Sequence, residues 1–154
     1  EERYFSGASF CNVVFDKCDL SNCSFRDTDW KNVKVSDSKG DGSQFCNSTF
    51  KWVKLLDSQF HYGNFSTAFW EFGEIKGCNF RESFMSEVKF KKTVFSSTDL
   101  AGTDFFRTPL KGMDLSECVI DGIMVSDQFT ELAGVKVSLL QAAELARLMG
   151  VKIV

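Results

Sequence analysis

The hydrophobic positions of this 154-residue chain recur at every fifth residue from Phe5 to Val125, and only Gly40 interrupts the series. Because hydrophobic residues make up 44% of the sequence, chance would fill fewer than half of these positions, so the period is a structural repeat. The members are mostly large residues: Phe5, Phe10, Phe15, Leu20, Phe25, Trp30, Val35, Phe45, Phe50, Leu55, Phe60, Phe65, Trp70, Ile75, Phe80, Met85, Phe90, Phe95, Leu100, Phe105, Leu110, Leu115, Ile120 and Val125.

A second series lies two residues before each large residue and consists almost entirely of small side chains, such as Ala8, Cys18 and Ala68. Alternate residues of an extended strand point to the same side, so each five-residue unit sends one small and one large side chain inward. A period of five fits neither the 3.6-residue helix nor a long strand. The pattern predicts a chain that turns a corner in every unit and stacks coil on coil.

The units resemble those of the pentapeptide-repeat proteins, which have the form Ala-(Asp/Asn)-Leu/Phe-X-X. The matching units include Cys18-Asp19-Leu20-Ser21-Asn22, Cys78-Asn79-Phe80-Arg81-Glu82, Thr98-Asp99-Leu100-Ala101-Gly102 and Met113-Asp114-Leu115-Ser116. The resemblance implies an all-β solenoid, a right-handed quadrilateral parallel β-helix with four units per coil and a C-terminal capping α-helix. We expect about six coils over residues 1–127 and interpret Gly40 and Gly42 as a bulge or local loosening of one coil.

Composition indicates the cellular compartment of this protein. The net charge is −3, and no run of about 18 apolar residues that could span a membrane is present. Cys18, Cys23, Cys78 and Cys118 occupy the small inward series, where coil separations of order 10 Å disfavour disulfides. Reduced thiols are typical of the cytoplasm, so the sequence predicts a cytoplasmic protein without a membrane partner.

Candidate catalytic chemistry is nearly absent from the sequence. His61 is the single histidine and follows an inward Phe, so we expect an exposed surface imidazole. Cys11 and Cys46 point outward without ligand partners at metal-binding spacing, and no phosphate-binding loop is present. The sequence therefore predicts a protein that is not an enzyme and that binds no metal or other cofactor.

One of the four predicted outer faces is basic, whereas the other three are mildly acidic. Its lysines stand beside aromatic residues, a combination that suits a partner surface. The same aromatics could instead stack on one another on a solvated face. Because the face has no Arg, nucleic acid is a less favoured partner than protein. The candidate partner residues are Lys31, Lys51, Trp52, Phe69, Phe72, Lys89, Lys91, Lys92 and Lys111.

The tail after Gln128 leaves the five-residue phase. Ser138 and Gln141 form a capping box, an apolar helix of about three turns follows, and Gly150 ends it. The sequence Val151-Lys152-Ile153-Val154 predicts a short strand after the helix. This module, residues 128–154, resembles the C-terminal dimer module of the quinolone-resistance pentapeptide-repeat proteins, which implies a homodimer. The implied contacts are Leu139, Leu140, Leu145, Leu148, Met149, Val151 and Ile153, and the alternative is a cap without a dimer.

Two functions remain open on the sequence. The resemblance implies a DNA mimic that binds type II topoisomerases such as DNA gyrase and gives fluoroquinolone resistance. The weak acidity of three faces and the basic fourth face depart from that role, since a mimic should project strong negative potential. The alternative is a cytoplasmic interaction scaffold that binds an acidic partner through the basic, aromatic face.

Overall fold

The computed structural model describes residues 3–154 as a parallel β-solenoid of about five turns with a single C-terminal helix. The first two residues of the predicted repeat region lie outside this part of the chain. The sequence predicted about six coils, from five-residue units taken four to a coil, and the structure has about five turns. The predicted fold class, an all-β solenoid with a C-terminal helix, is confirmed.

All strands pair in parallel, and residues in adjacent coils are 20 positions apart. One sheet has the order β2-β4-β5-β6-β8, with β7 joining β5 to β9, and a second consists of β1 and β3. The elements are β1 (Arg3–Tyr4), β2 (Ser9–Asp16), β3 (Cys23–Ser24), β4 (Asp29–Ser36), β5 (Thr49–Leu56), β6 (Phe69–Glu71), β7 (Glu74–Lys76), β8 (Lys89–Lys91), β9 (Val94–Ser96), a 3₁₀ turn (Thr130–Leu132) and α1 (Leu139–Leu148).

A corner follows two residues after nearly every large inward residue, where the backbone adopts positive φ. Asn, Asp and Gly tolerate this left-handed conformation best and occupy many of the corners, for example Asn22, Asp27 and Gly42. With one corner in each five-residue unit and a register of 20, each turn contains four sides.

The large inward residues form the predicted continuous core. Phe25, Phe45 and Phe65 stack in a column, with ring centroids 5.2 and 4.6 Å apart, and Phe50 stacks on Trp70 at 4.2 Å. The small series supplies hydroxyls as well as space, since the Oγ of Ser43 accepts a hydrogen bond from the Cys23 N–H of the neighbouring coil at 3.1 Å.

Gly40 neither bulges nor loosens its coil, contrary to our interpretation of the sequence. Its N–H donates to the Gln59 carbonyl at 2.6 Å, and neighbouring Lys39 pairs in register with both Asp19 and Gln59. A Cβ on Gly40 would lie 2.7 Å from two ring carbons of Phe60. The Phe60 ring therefore fills the space that a large residue would otherwise occupy.

Residues beyond the predicted boundary at Gln128 continue to stack although they have left the five-residue phase. The Leu110 N–H donates to the Glu131 carbonyl at 3.0 Å, and the Lys136 N–H donates to the Met113 carbonyl at 2.8 Å. Helix α1 then covers the end of the solenoid. Besides forming the predicted capping box, the Gln141 side chain donates to the carbonyls of Leu115 and Cys118.

We expect Phe80→Ala to lower the free energy of unfolding by about 3–5 kcal/mol, because it opens a cavity at a fully buried position of the column. Lys51→Ala, on the surface of β5, should change it by less than about 0.5 kcal/mol. Denaturant titration measures both values. Equal losses from the two variants would contradict the assignment of inward and outward positions.

The buried carboxylate of Glu131 stabilises the last coil. Burial opposes its ionisation, but hydrogen bonds from the Arg107 N–H and from Ser126, each 2.8 Å long, hold its pKa below the ordinary value. The stabilisation is therefore present above the unfolded-state pKa and is lost as pH falls through the folded-state pKa.

We expect Glu131→Gln to lower the free energy of unfolding at pH 7 by about 1–3 kcal/mol, because the charge-assisted hydrogen bonds are weakened. The gap between the variant and the original protein should narrow as the pH falls through the lowered folded-state pKa of Glu131. Denaturant titrations at several pH values measure this gap. A gap that stays constant across the acid range would contradict the role of the ionised carboxylate.

Candidate interaction surface

The predicted basic face lies on the outer side of the sheet β2-β4-β5-β6-β8. Lys31 of β4 and Lys51 of β5 are directly in register, and Glu71 and Lys91 continue the same column. The Lys91 ammonium is 3.2 Å from the Glu71 carboxylate. Among residues 3–154, by contrast, neither Lys31 nor Lys51 forms an ion pair. The structure thus brings the lysines together and leaves two of them without a neutralising partner.

Phe69 and Lys111 are two other predicted residues of the basic face. Phe69 is half-buried and in register with Thr49 and Lys89. Lys111 lies beyond the last strand of the sheet, with its aliphatic stem near Gly134. These residues frame the lysine column.

Trp52, Phe72 and Lys92 occupy a corner and form one edge of the basic face. Together with Asn12 and Asn32 of the same column they make a continuous row, which we call the corner ridge. The Trp52 and Phe72 rings stack with centroids 4.3 Å apart and planes 11° apart. The Lys92 ammonium lies 5.3 Å from the Phe72 ring centre, within the range of a cation–π contact.

The corner ridge shows the ring stacking that was one of the two interpretations of the aromatic residues, and the partner surface stays a prediction. The rings do stack on one another, as on a solvated face, and the Trp52 side chain nevertheless remains 58% exposed. Trp52 and Phe72 also have φ values of 54° and 55°, in the left-handed region that bulky residues seldom occupy. Large aromatic side chains are thus retained at positions for which Asn or Gly is better suited.

A groove runs beside the corner ridge, on the side away from the basic face. Two open depressions of about 300 and 600 Å³ share Asn32, Trp52 and Lys54 and follow the long axis of the solenoid. The opposite wall is one column of outward residues, Val14, Lys34, Lys54, Glu74 and Val94. We call this depression the lateral groove.

Lys34 and Lys54 were not among the candidate residues predicted from the sequence. Whole five-residue units assigned to separate faces divide residues 31 and 34, although these residues flank the same corner. Aligning the chain at intervals of 20, rather than 5, would have placed both lysines beside Trp52. The Lys54 ammonium is 3.8 Å from Glu74, whereas Lys34 forms no ion pair within residues 3–154.

Two titratable groups outside this surface, His61 and Cys78, have structural partners. His61 is half-buried rather than fully exposed as expected, and its Nδ1 lies 3.2 Å from the Asp41 carboxylate. Burial raises the pKa of the Cys78 thiol to about 11, which opposes formation of a nucleophilic thiolate. All six cysteines are free, and within residues 3–154 no group of three His, Cys, Asp or Glu side chains is placed to hold a metal ion.

Helix α1 divides the seven predicted dimer residues into two groups. Leu145 and Leu148 are half-buried against the core of the solenoid, so they belong to the cap. Leu139 and Leu140 are 87% and 85% exposed. Met149, Val151 and Ile153, at and beyond the C-terminal end of the helix, are also exposed.

The predicted strand over Val151 to Val154 is wrong. The Val151 N–H donates to the Ala146 carbonyl at 2.9 Å after a left-handed turn at Gly150. Within residues 3–154, these last residues pair with no strand. They extend from the helix end without the backbone partner that a strand requires.

None of the helices within residues 3–154 is long and apolar enough to cross a membrane.

Comparison with known proteins agrees with this geometry. Residues 4–39 and 75–112 match the family of pentapeptide repeats, in eight copies. No curated protein matches the sequence significantly.

Several solved structures are similar. A trypsin-treated variant of QnrB1, a plasmid-mediated fluoroquinolone resistance protein, has 14% identity and a TM-score of 0.38 over 100% of both chains. A pentapeptide-repeat protein of the Arabidopsis thaliana thylakoid lumen has 15% identity and a TM-score of 0.48 over 66% of this chain and 67% of that one. Rfr23, a pentapeptide-repeat protein of the cyanobacterium Cyanothece 51142, has 12% identity and a TM-score of 0.31 over 89% and 91%.

The matched units are continuous in phase with the intervening residues 40–74, which show the same inward columns and the same coil register. The five-residue units, four to a turn, and the matched segments lead to one conclusion: this chain is a pentapeptide-repeat protein.

Proposed function

We propose that this protein is a non-enzymatic interaction protein that binds an acidic protein partner through its basic face. Pentapeptide-repeat proteins are generally structural or interaction proteins. The observation that carries the proposal is the exposed Trp52–Phe72 stack beside lysines that lack ion-pair partners within residues 3–154. An aromatic anchor next to uncompensated charge is typical of a protein-binding surface. Six free thiols support a cytoplasmic location.

We expect the combined change Lys89→Glu, Lys91→Glu and Lys92→Glu to abolish binding of a fluorescent acidic polymer such as poly-glutamate. Binding to the original protein should weaken several-fold between low and physiological salt, because exposed charges are screened. Fluorescence anisotropy measures both effects.

The matched control is Lys17→Glu, Lys39→Glu and Lys76→Glu, which makes the same change in net charge at exposed lysines outside the basic face. Binding that persists in the first triple variant, or that is lost equally in both, would refute the basic face as the site.

A second candidate function is a dimeric rod that binds a type II topoisomerase. The exposed side chains of Leu139 and Leu140 favour it, because so much apolar surface at the end of a rod suits contact with a second copy. Two rods joined end to end through these residues would have the length of a short DNA duplex. Such a dimer could bind DNA gyrase in place of DNA and relieve fluoroquinolone poisoning.

We expect Leu139→Glu combined with Leu140→Glu to convert a dimer into a monomer, since charges would replace the apolar contact. Light scattering after size-exclusion chromatography measures the mass. Val119→Glu with Met124→Glu, at exposed apolar positions of the coils, is the matched control. A monomeric mass for the original protein would contradict the dimer.

The topoisomerase itself is tested in a gyrase supercoiling assay with and without a fluoroquinolone. Inhibition by the original protein, or rescue from the drug, would support the second candidate if the double Leu variant loses the effect. No effect at concentrations well above that of gyrase would exclude it.

A further inference from the structure

The lateral groove has a chemistry distinct from that of the basic face, although both share the corner ridge. Its outer wall carries exposed apolar side chains at each end, Val14 and Val94, with Lys34, Lys54 and Glu74 in between. Trp52 and Phe72 form the facing wall. The groove therefore presents apolar contacts and positive charge together along one line.

The two central lysines are placed at a cost to the fold. Lys34 and Lys54 are directly in register on β4 and β5, and like charges in this arrangement repel each other. Lys31 and Lys51 repeat the arrangement on the other side of the corner. Of these four lysines, only Lys54 has an ion-pair partner within residues 3–154, the Glu74 carboxylate at 3.8 Å. A negatively charged occupant would offset this repulsion.

From these features we propose that the lateral groove binds an extended acidic peptide segment that also carries apolar side chains. This inference rests on the proposed function and specifies the partner and its place. The groove extends over four coil steps, from Asn12 to Lys92, or about 19 Å at the usual strand spacing. That length accommodates about six residues of extended peptide.

A peptide fits the groove better than single-stranded nucleic acid does. Base stacking needs a free aromatic face, but Trp52 and Phe72 cover each other and Lys92 lies over the Phe72 ring. The Glu74 carboxylate lies within the groove and pairs with the Lys54 ammonium at 3.8 Å. The same carboxylate can accept a hydrogen bond from a peptide N–H.

The test uses a fluorescein-labelled hexapeptide, Glu-Leu-Glu-Glu-Leu-Glu, with two comparison ligands: the same peptide with Gln in place of each Glu, and a labelled oligo-dT strand. Anisotropy reports affinity. Acrylamide quenching reports the place of binding, because Trp30 and Trp70 are buried and Trp52 is the accessible indole. We expect the acidic peptide to bind and to protect Trp52 from acrylamide, and the Gln peptide to bind at least about tenfold more weakly.

Two matched pairs of variants locate the site. Lys34→Glu with Lys54→Glu should weaken peptide binding about tenfold or more, whereas Lys17→Glu with Lys39→Glu should not. Trp52→Asn introduces the residue found at Asn12 and Asn32 of the same column, so the fold is retained while the anchor is lost. Its control is Tyr62→Asn, at another left-handed corner with the same 58% exposure.

The outcomes separate this inference from the proposed function. Loss of peptide binding in the Lys89, Lys91 and Lys92 triple variant but not in the Lys34 and Lys54 variant would overturn the groove and retain the basic face. Failure of the acidic peptide to bind the original protein would overturn the inference, as would tighter binding of oligo-dT. If poly-glutamate still binds in either case, the proposed function stands.

Discussion

Hydrogen bonding between coils in a constant register of 20 residues is the constraint on which the rest of this structure depends. Many large inward residues donate their N–H to a carbonyl of the next coil, as from Phe60 to Asn79 at 2.7 Å and from Phe80 to Asp99 at 2.8 Å. Because the register does not drift from β2 to β9, the side chains of these coils meet the side chains 20 positions away. Columns of like residues are the direct result, both in the core and on the surface.

The core columns show how this constraint combines packing with polar satisfaction. Aromatic rings at equivalent positions stack at distances that favour ring contact, as in the Phe45–Phe65 pair. At the small positions, buried hydroxyls accept hydrogen bonds from backbone N–H groups. The Thr28 N–H donates to the Ser48 Oγ at 3.1 Å, so a backbone group that turns inward is not left without an acceptor. Small size alone would not supply that hydrogen bond.

The inward residues could be predicted from the sequence because a period of five is visible in a single chain. The position of the Phe60 ring beneath Gly40 could not be predicted, because it depends on how one side chain fills the space that another would occupy. Gln141 was predicted to cap its own helix, but its contacts with Leu115 and Cys118 require the helix to lie across the last coil. The lateral groove was missed because its walls come from units that are close only when counted by coils.

The exposure of the large inward residues differs between the two ends of the described solenoid. In the first coil Phe5 is exposed, and Phe10 and Phe15 are half-buried. At the other end Leu145 and Leu148 of α1 cover the core. The cap at this end is therefore formed by the chain itself.

The extra residues between Ser126 and Val135 have a consequence for how the length of such a chain can change. Upstream of them, inserting a single residue would move every later side chain out of its column and turn inward residues toward solvent. Near the last coil the spacing lengthens from 20 to 22, as the pairing of Asp114 with Lys136 shows, and no further repeat coil has to match it. Short insertions and deletions should therefore be tolerated at this terminal segment, while the repeats can gain or lose length only by whole turns.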